Sequence, residues 1–350
     1  MDTNASPIDL AGLDAPPAAR AIHRIVDGFK SFQALRAGFA SGLFDWLDRH
    51  GPAEKSAISA ATGLRGAHLG GFLQALEDLG LLASRHGTYT LAPDLRSVLV
   101  SSSPWCRAAE IEALLQPARG WPDLHAFLTE EGGPAPTPEA AAMPPAIALH
   151  PFLSEALRLA DTLAARWRRN GTTPRRLLCF DAGDGLAAAA LCQTLPDLDA
   201  AVVVAPAAVA RTRAVLDACG LAGRTAVHAG SPLEPPASGT YDYVLLFHAL
   251  YPVRKSTADA LAATAARLAP GGGLCAAHWF CLEACETAPG GLRDLDKAVL
   301  TDSHPLCHLE QFSQRLENAG LVDTGYSDLP GEYGNTKLHF ARRPDSGEQA

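Results

Sequence analysis

Leu177-Leu178-Cys179-Phe180-Asp181-Ala182-Gly183-Asp184-Gly185 runs straight into the alanine-rich stretch from Leu186 to Leu195. A short continuous apolar run reads as a strand buried on both faces, and the stretch after it is long enough for a helix. The D-x-G-x-G between them therefore occupies a strand-to-helix turn. In an open parallel sheet ligands lie beyond the carboxyl ends of the strands. Glycines let the backbone close around such a ligand, and an acid can hold an amine or a hydroxyl. Asp181, Gly183 and Gly185 are thus candidate binding residues. Taken alone the pattern is weak, because many strand-to-helix turns are rich in glycine.

The alternation continues on the carboxyl side. Strands are predicted at 201–204, 225–228, 241–247 and 273–279, separated by helices at 207–218 and 256–268, with a last helix at 309–319 and a strand at 337–341. Strands alternating with helices predict an α/β, Rossmann-like domain over 171–345, a doubly wound and mostly parallel sheet covered on both faces.

Upstream, Ile25, Phe29, Phe32, Leu35, Phe39, Leu43, Phe44 and Leu47 recur at helical spacing. Short helices ending at Gly63 and Gly80 follow, then a hairpin signal around His86-Gly87. Three helices and a hairpin predict an all-α winged-helix-like module over 18–103. A helix reading Ala67 to Leu79 with no Arg or Lys has no phosphate anchors for a DNA groove. Its apolar faces are expected to bury against a partner subunit. Residues 104–170 read as a helical connector lining a pocket, with a Gly-, Pro- and Ala-rich loop from Glu131 to Pro145, and residues 1–17 as a loose arm.

Composition narrows the classes further. The 350 residues carry a net charge of −9, which opposes general affinity for nucleic acid or anionic membrane. The basic run Arg166, Arg168, Arg169, Arg175 and Arg176 reads as a solvated linker and strand entry. No apolar stretch reaches the length of a membrane span. The eight cysteines stand singly, and Cys281 with Cys285 lacks the second pair of a structural zinc site. With no signal peptide in view, a reduced, cytoplasmic location is the expectation.

From about Ile22 to Arg342 the chain resembles the class I S-adenosylmethionine-dependent O-methyltransferases of the acetylserotonin and plant-caffeate type, and their bacterial natural-product tailoring relatives. The resemblance is carried by the order of parts around the Asp181–Gly185 turn. It is carried also by Ala34-Leu35-Arg36, Gly42-Leu43-Phe44-Asp45, Ala75-Leu76-Glu77-Asp78-Leu79-Gly80-Leu81-Leu82, Leu268-Ala269-Pro270-Gly271-Gly272 and the closing Phe312 to Gly320-Leu321. It implies a homodimer formed through the N-terminal domain, and S-adenosylmethionine bound by Asp181, Gly183 and Gly185.

Several positions depart from the family pattern. The third glycine falls on Ala187. The acid that would bind the ribose hydroxyls falls on Ala205, and the one that would approach the adenine amine falls on Ser231. Losing a charge-assisted bond to a diol costs ~1.5–3 kcal/mol, one or two orders of magnitude in affinity.

His248, after the fourth strand, matches the family's general base, for which imidazole is suited by a pKa near neutrality. The usual Asp and Trp after it are Ala249 and Leu250, and His278 stands where many relatives carry a glutamate that orients the base. Trp121, Phe152, Trp279 and His304 are candidates for the substrate pocket. The leading expectation is methyl transfer to a hydroxyl of a small molecule. The alternative keeps the fold, dispenses with S-adenosylmethionine, and uses His248 and His278 for cyclisation, isomerisation, elimination or oxidation. It would work either with no cofactor or with a transition metal on His248, His278, His304 and His308, since imidazoles beside a carboxylate such as Asp302 suit iron, zinc or copper. A non-catalytic partner subunit is the third.

Overall fold

A computed structural model describes residues 18–64, 68–116, 120–129, 147–236, 239–280, 291–301, 303 and 305–347. The expected arm at 1–17, the loop at 131–145, Cys281, Cys285, Asp302 and His304 lie outside these residues. The chain divides into two compact units, one ending at Ala113 and the other beginning at Leu114. The division falls inside the connector predicted at 104–170.

The first unit comprises α1 (Ala19–Ala40), α2 (Leu43–His50), β1 (Ala53–Glu54), α3 (Lys55–Thr62), α4 (Leu69–Asp78), β2 (Leu82–Arg85), β3 (Thr88–Leu91), α5 (Arg96–Leu99) and α6 (Ala108–Ala113). The long helical period before Leu47 is split at Gly42, whose φ of 66° ends one helix and starts the next. His86 and Gly87, both at positive φ, form the two-residue turn that joins β2 to β3, and β1 completes a sheet of order β1-β3-β2. An exposed ion pair from Arg36 to Glu112 joins α1 to α6.

Leu69, Leu73 and Leu76 of α4 are buried with Phe44, Leu47 and Ile58 in the unit's own core. The apolar face expected to await a partner is therefore already covered. The uncovered apolar face belongs to α1, where Ile22, Ile25, Val26 and Phe29 are exposed at i, i+3, i+4 and i+7.

The second unit comprises α7 (Leu124–Thr129), α8 (Leu153–Arg169), β4 (Arg176–Asp181), α9 (Leu186–Thr194), β5 (Asp199–Val204), α10 (Val209–Ala218), β6 (Thr225–Ala229), β7 (Tyr241–Phe247), α11 (Thr257–Ala265), β8 (Leu268–His278), α12 (Gly291–Thr301), α13 (Phe312–Asn318), β9 (Val322–Gly331) and β10 (Gly334–Arg342). Its seven strands take the order β6-β5-β4-β7-β8-β10-β9. The first five are parallel, and β10 runs antiparallel to both neighbours.

Leu177 to Phe180 and Val244 to Phe247 are buried throughout, as strands covered on both faces must be. One face of α8, Ala156, Leu159, Ala160 and Leu163, belongs to the same core. Truncating a leucine there, such as Leu159→Ala, costs ~2–5 kcal/mol.

Chain order reverses between β4 and β7. The crevice beyond their carboxyl ends is the place where such sheets bind ligands. The sequence reading placed the glycine loop after β4 and His248 after β7, on either side of that crevice.

Candidate functional site

The glycine loop is built around the Asp181 carboxylate. Oδ1 accepts the Gly183 N–H at 2.7 Å, and Oδ2 accepts those of Ala187 at 3.0 Å and Ala188 at 3.2 Å. Asp181 thus secures the loop to the first turn of α9. Burial pushes its carboxyl up to about 6 against the opposing pull of these backbone donors. Gly185 sits at φ 85°, and a Cβ on it would come within 2.9 Å of Thr212. At Gly183 a Cβ would meet the Phe247 ring at 3.0 Å and Phe152 Cβ at 3.2 Å. Gly185 is therefore demanded by its backbone and its packing alike, whereas at Gly183 a side chain would need Phe247 or Phe152 to give by a few tenths of an ångström.

Asp184, between them, holds a left-handed conformation at φ 53°, which is uncommon for a residue with a Cβ. Its Oδ2 accepts from Arg211 Nε at 2.6 Å and lies 3.4 Å from His150 Nε2. Burial would raise this carboxyl, but His150 and Arg211 outweigh it and hold Asp184 below the ordinary range. The Phe152 N–H donates to His150 Nδ1, so the His150 proton sits on Nε2, facing Asp184.

On the other side of the crevice His248 also takes positive φ, 52°, and is completely buried. Its Nε2 lies 2.7 Å from Glu155 Oε1 and its Nδ1 lies 2.6 Å from Tyr251 Oη. The Thr336 hydroxyl donates to the same Glu155 oxygen at 2.6 Å, and the Trp279 N–H donates to Tyr251 Oη at 2.7 Å. Phe152 stacks on the His248 ring with centroids 4.7 Å apart, and Trp279 lies 4.4 Å from it. The glycine loop and the His248 loop are joined directly, since the Ala182 N–H donates to the Phe247 carbonyl at 3.0 Å.

His278, fully buried, accepts the Leu250 N–H on Nε2 at 3.1 Å. Its proton therefore lies on Nδ1, which has no partner among the described residues. Burial, with His248 and His339 nearby, holds this imidazole well below its usual range and keeps it neutral.

No family model matches this sequence, and no curated protein matches it in sequence. Solved structures do match. An O-methyltransferase family protein from Burkholderia thailandensis superposes with a TM-score of 0.75 at 19% identity, over 95% of this chain and 100% of that one. Human N-acetylserotonin methyltransferase, in complex with S-adenosylmethionine, gives a TM-score of 0.62 at 18% identity, over 95% and 99%. The fold is that of the class I S-adenosylmethionine-dependent methyltransferases. N,N-8-amino-8-demethyl-D-riboflavin dimethyltransferase from Streptomyces davawensis shares it too, with a TM-score of 0.65 at 20% identity over 94% and 100%. At such identities the likeness carries the fold.

Within this methyltransferase fold, the described site residues fall into three groups. His248, His278, Phe152 and Trp279 come together as one aromatic cluster. Asp181, Gly183 and Gly185 form the loop, while exposed Ala205 follows β5 and half-buried Ser231 follows β6. Trp121 is half-buried in the turn before α7, and His308 is exposed at φ 61°. Among the described residues no group of three His, Cys, Asp or Glu is arranged to hold a metal ion. Both His248 nitrogens face protein partners instead.

Glu155, Tyr251, Arg211 and His150 escaped the sequence reading. Glu155 was findable, because it is a carboxylate on the apolar stripe of α8, beside Phe152, Ala156 and Leu159.

The polar groups at the loop suit the amino-acid end of S-adenosylmethionine. That end is a zwitterion, and Asp184 with Arg211 presents one charge of each sign beside the glycine loop. The ribose and adenine ends find no carboxylate at Ala205 or Ser231.

Proposed function

We propose that the chain is a small-molecule methyltransferase that acts on a hydroxyl, with His248 as its base. The observation that carries this reading is the buried Glu155–His248 pair at the switch point, next to the glycine loop. Asp184 and Arg211 would hold the ammonium and carboxylate of S-adenosylmethionine, Gly183 and Gly185 its approach to the backbone, and Ala205 and Ser231 would line its nucleoside half. When bound, that cofactor supplies the methyl group. Proton removal from the acceptor raises its nucleophilicity, and Glu155 stabilises the imidazolium that forms. Phe152 and Trp279 would exclude water from the reacting oxygen, and Trp121 would belong to the acceptor side of the pocket.

A second reading is favoured by Ala205, which leaves the end of β5 exposed without a carboxylate. In it the fold is kept, methyl transfer is lost, and His248 with His278 serves cyclisation, isomerisation, elimination or oxidation, with or without a metal. Calorimetric titration with S-adenosylmethionine, with metal analysis of the same sample, separates the two. Low-micromolar binding by metal-free protein would exclude the second reading. Absence of binding at millimolar cofactor would exclude the first.

The exposed stripe Ile22, Ile25, Val26 and Phe29 on α1 supports a homodimer through the N-terminal unit.

A further inference from the structure

We propose that Tyr251 is the catalytic residue that meets the acceptor's proton, with His248 receiving it from behind. The proposal rests on the reading of His248 as the base, and proton accounting carries it. A carboxylate only accepts hydrogen bonds, so in the neutral ring His248 donates its one N–H to Glu155 from Nε2. Nδ1 is then the lone-pair nitrogen, and the hydroxyl 2.6 Å away on Tyr251 donates to it. Tyr251 Oη accepts the Trp279 N–H on one lone pair and keeps the other.

Every edge of His248 is thereby accounted for. Glu155 takes one nitrogen and Tyr251 the other, while Phe152 stacks on the ring and Trp279 packs against it. An acceptor hydroxyl finds no vacant nitrogen. The acceptor position left in the chain of bonds is on Tyr251 Oη, a residue 2% exposed, which an acceptor reaches only by displacing part of the aromatic cluster around it.

In the step, the acceptor's O–H bond breaks and its proton goes to Tyr251 Oη, while the proton already on Oη passes to Nδ1. The acceptor oxygen keeps the electron pair and uses it on the methyl carbon. The resulting imidazolium is held by Glu155, and its proton later returns to Oη and leaves through that oxygen to water. Tyr251 stays neutral throughout, which matches its setting: burial raises the phenol well above its ordinary range, and the Trp279 N–H offsets this only in part.

The test is nitrogen-15 NMR of the histidine-labelled full chain at neutral pH, as wild type and as Tyr251→Phe, both without ligand. His248 is expected as the Nε2–H tautomer, with an Nδ1 signal of a hydrogen-bonded acceptor that moves to that of a free lone pair in Tyr251→Phe. An Nδ1–H tautomer or an imidazolium in the wild type would overturn the proposal, because Tyr251 could not then pass its proton on. An unchanged Nδ1 signal in the variant would overturn it equally. With S-adenosylmethionine and catechol as the acceptor probe, Tyr251→Phe should lower kcat about 100-fold and leave the cofactor KM within about threefold. A variant with wild-type kcat would sink the relay. Failure of the wild type to bind S-adenosylmethionine strikes the methyl-transfer reading alone, since the tautomer measurement involves no cofactor.

Discussion

His248 Nε2 and Glu155 Oε1 lie 2.7 Å apart, although 93 positions separate the two residues in the chain. The fold brings the first turn of α8 over the end of β7 and buries both partners, at 0% and 5% side-chain exposure. A carboxylate in that position orients the ring and steadies its charged form. Glu155→Gln keeps the shape and removes the charge. It is expected to lower kcat on a reactive acceptor by about 100-fold, with S-adenosylmethionine affinity by calorimetry unchanged. Wild-type turnover in this variant would show that Glu155 serves packing only.

Asp181 predicts an unusual pH response of stability. Its carboxyl titrates near 6 when folded, above the unfolded value of about 4, so the folded state binds the proton more tightly. The contribution, about 3 kcal/mol, is present below about pH 4 and lost as the pH rises to about 6. His339 shifts stability in the opposite sense over the same range, so in urea unfolding the loss should appear as the difference between wild type and Asp181→Asn, the variant gaining about 3 kcal/mol more than wild type as the pH rises from about 4 to about 6.

His339 works in the opposite direction. Burial, helped by Lys337, lowers its imidazole to about 4. Stability from the neutral ring is present above the unfolded value of about 6.5 and falls away as the pH drops towards 4, by about 3 kcal/mol. In the same urea series His339→Phe should lose this acid-side fall relative to wild type, leaving the opposite trend of Asp181 exposed. A steeper limb in the variant would refute the assignment.

Ala205 marks the end of β5 and is exposed, so an acid there meets no packing penalty. Ala205→Asp should tighten S-adenosylmethionine or S-adenosylhomocysteine binding about 10- to 100-fold by calorimetry. No gain would mean that the nucleoside does not lie along β5.

Phe29 projects from α1 with 62% of its surface exposed. Phe29→Glu, which places a charge on that apolar stripe at its C-terminal end, should turn a dimer into a monomer in sedimentation velocity without change in the circular dichroism spectrum. A wild-type chain that sediments as a monomer would remove the dimer reading altogether.

The legible parts of the molecule were those whose pattern is local. Strands β4, β5 and β7 are buried on both faces, so each appears as an unbroken apolar run, and the loop after β4 carries its own glycines. Strand β9 was missed because it is an edge strand, largely exposed, that contains Gly325 and Pro330. The site was legible only where a single residue ends a strand, as His248 does. Its partners were hidden for different reasons. Glu155 reads as an ordinary first-turn acid until its neighbours on the helix face are considered. Tyr251 reads as core, and the bond from Arg211 to Asp184 depends on how α10 lies against the loop. Asp181 was legible as a residue but not as a role, because its bonds run to backbone that no side-chain pattern reports.

The bond from Ala182 N–H to the Phe247 carbonyl makes the glycine loop and the His248 loop one mechanical piece. Substitutions in the two loops should then be epistatic. A double variant drawn from 182–185 and 248–251 should depart from the sum of its singles by more than ~0.5 kcal/mol, whereas pairing either loop with a distant surface site should not. Any attempt to redesign this protein for a new acceptor has to vary both loops in the same library.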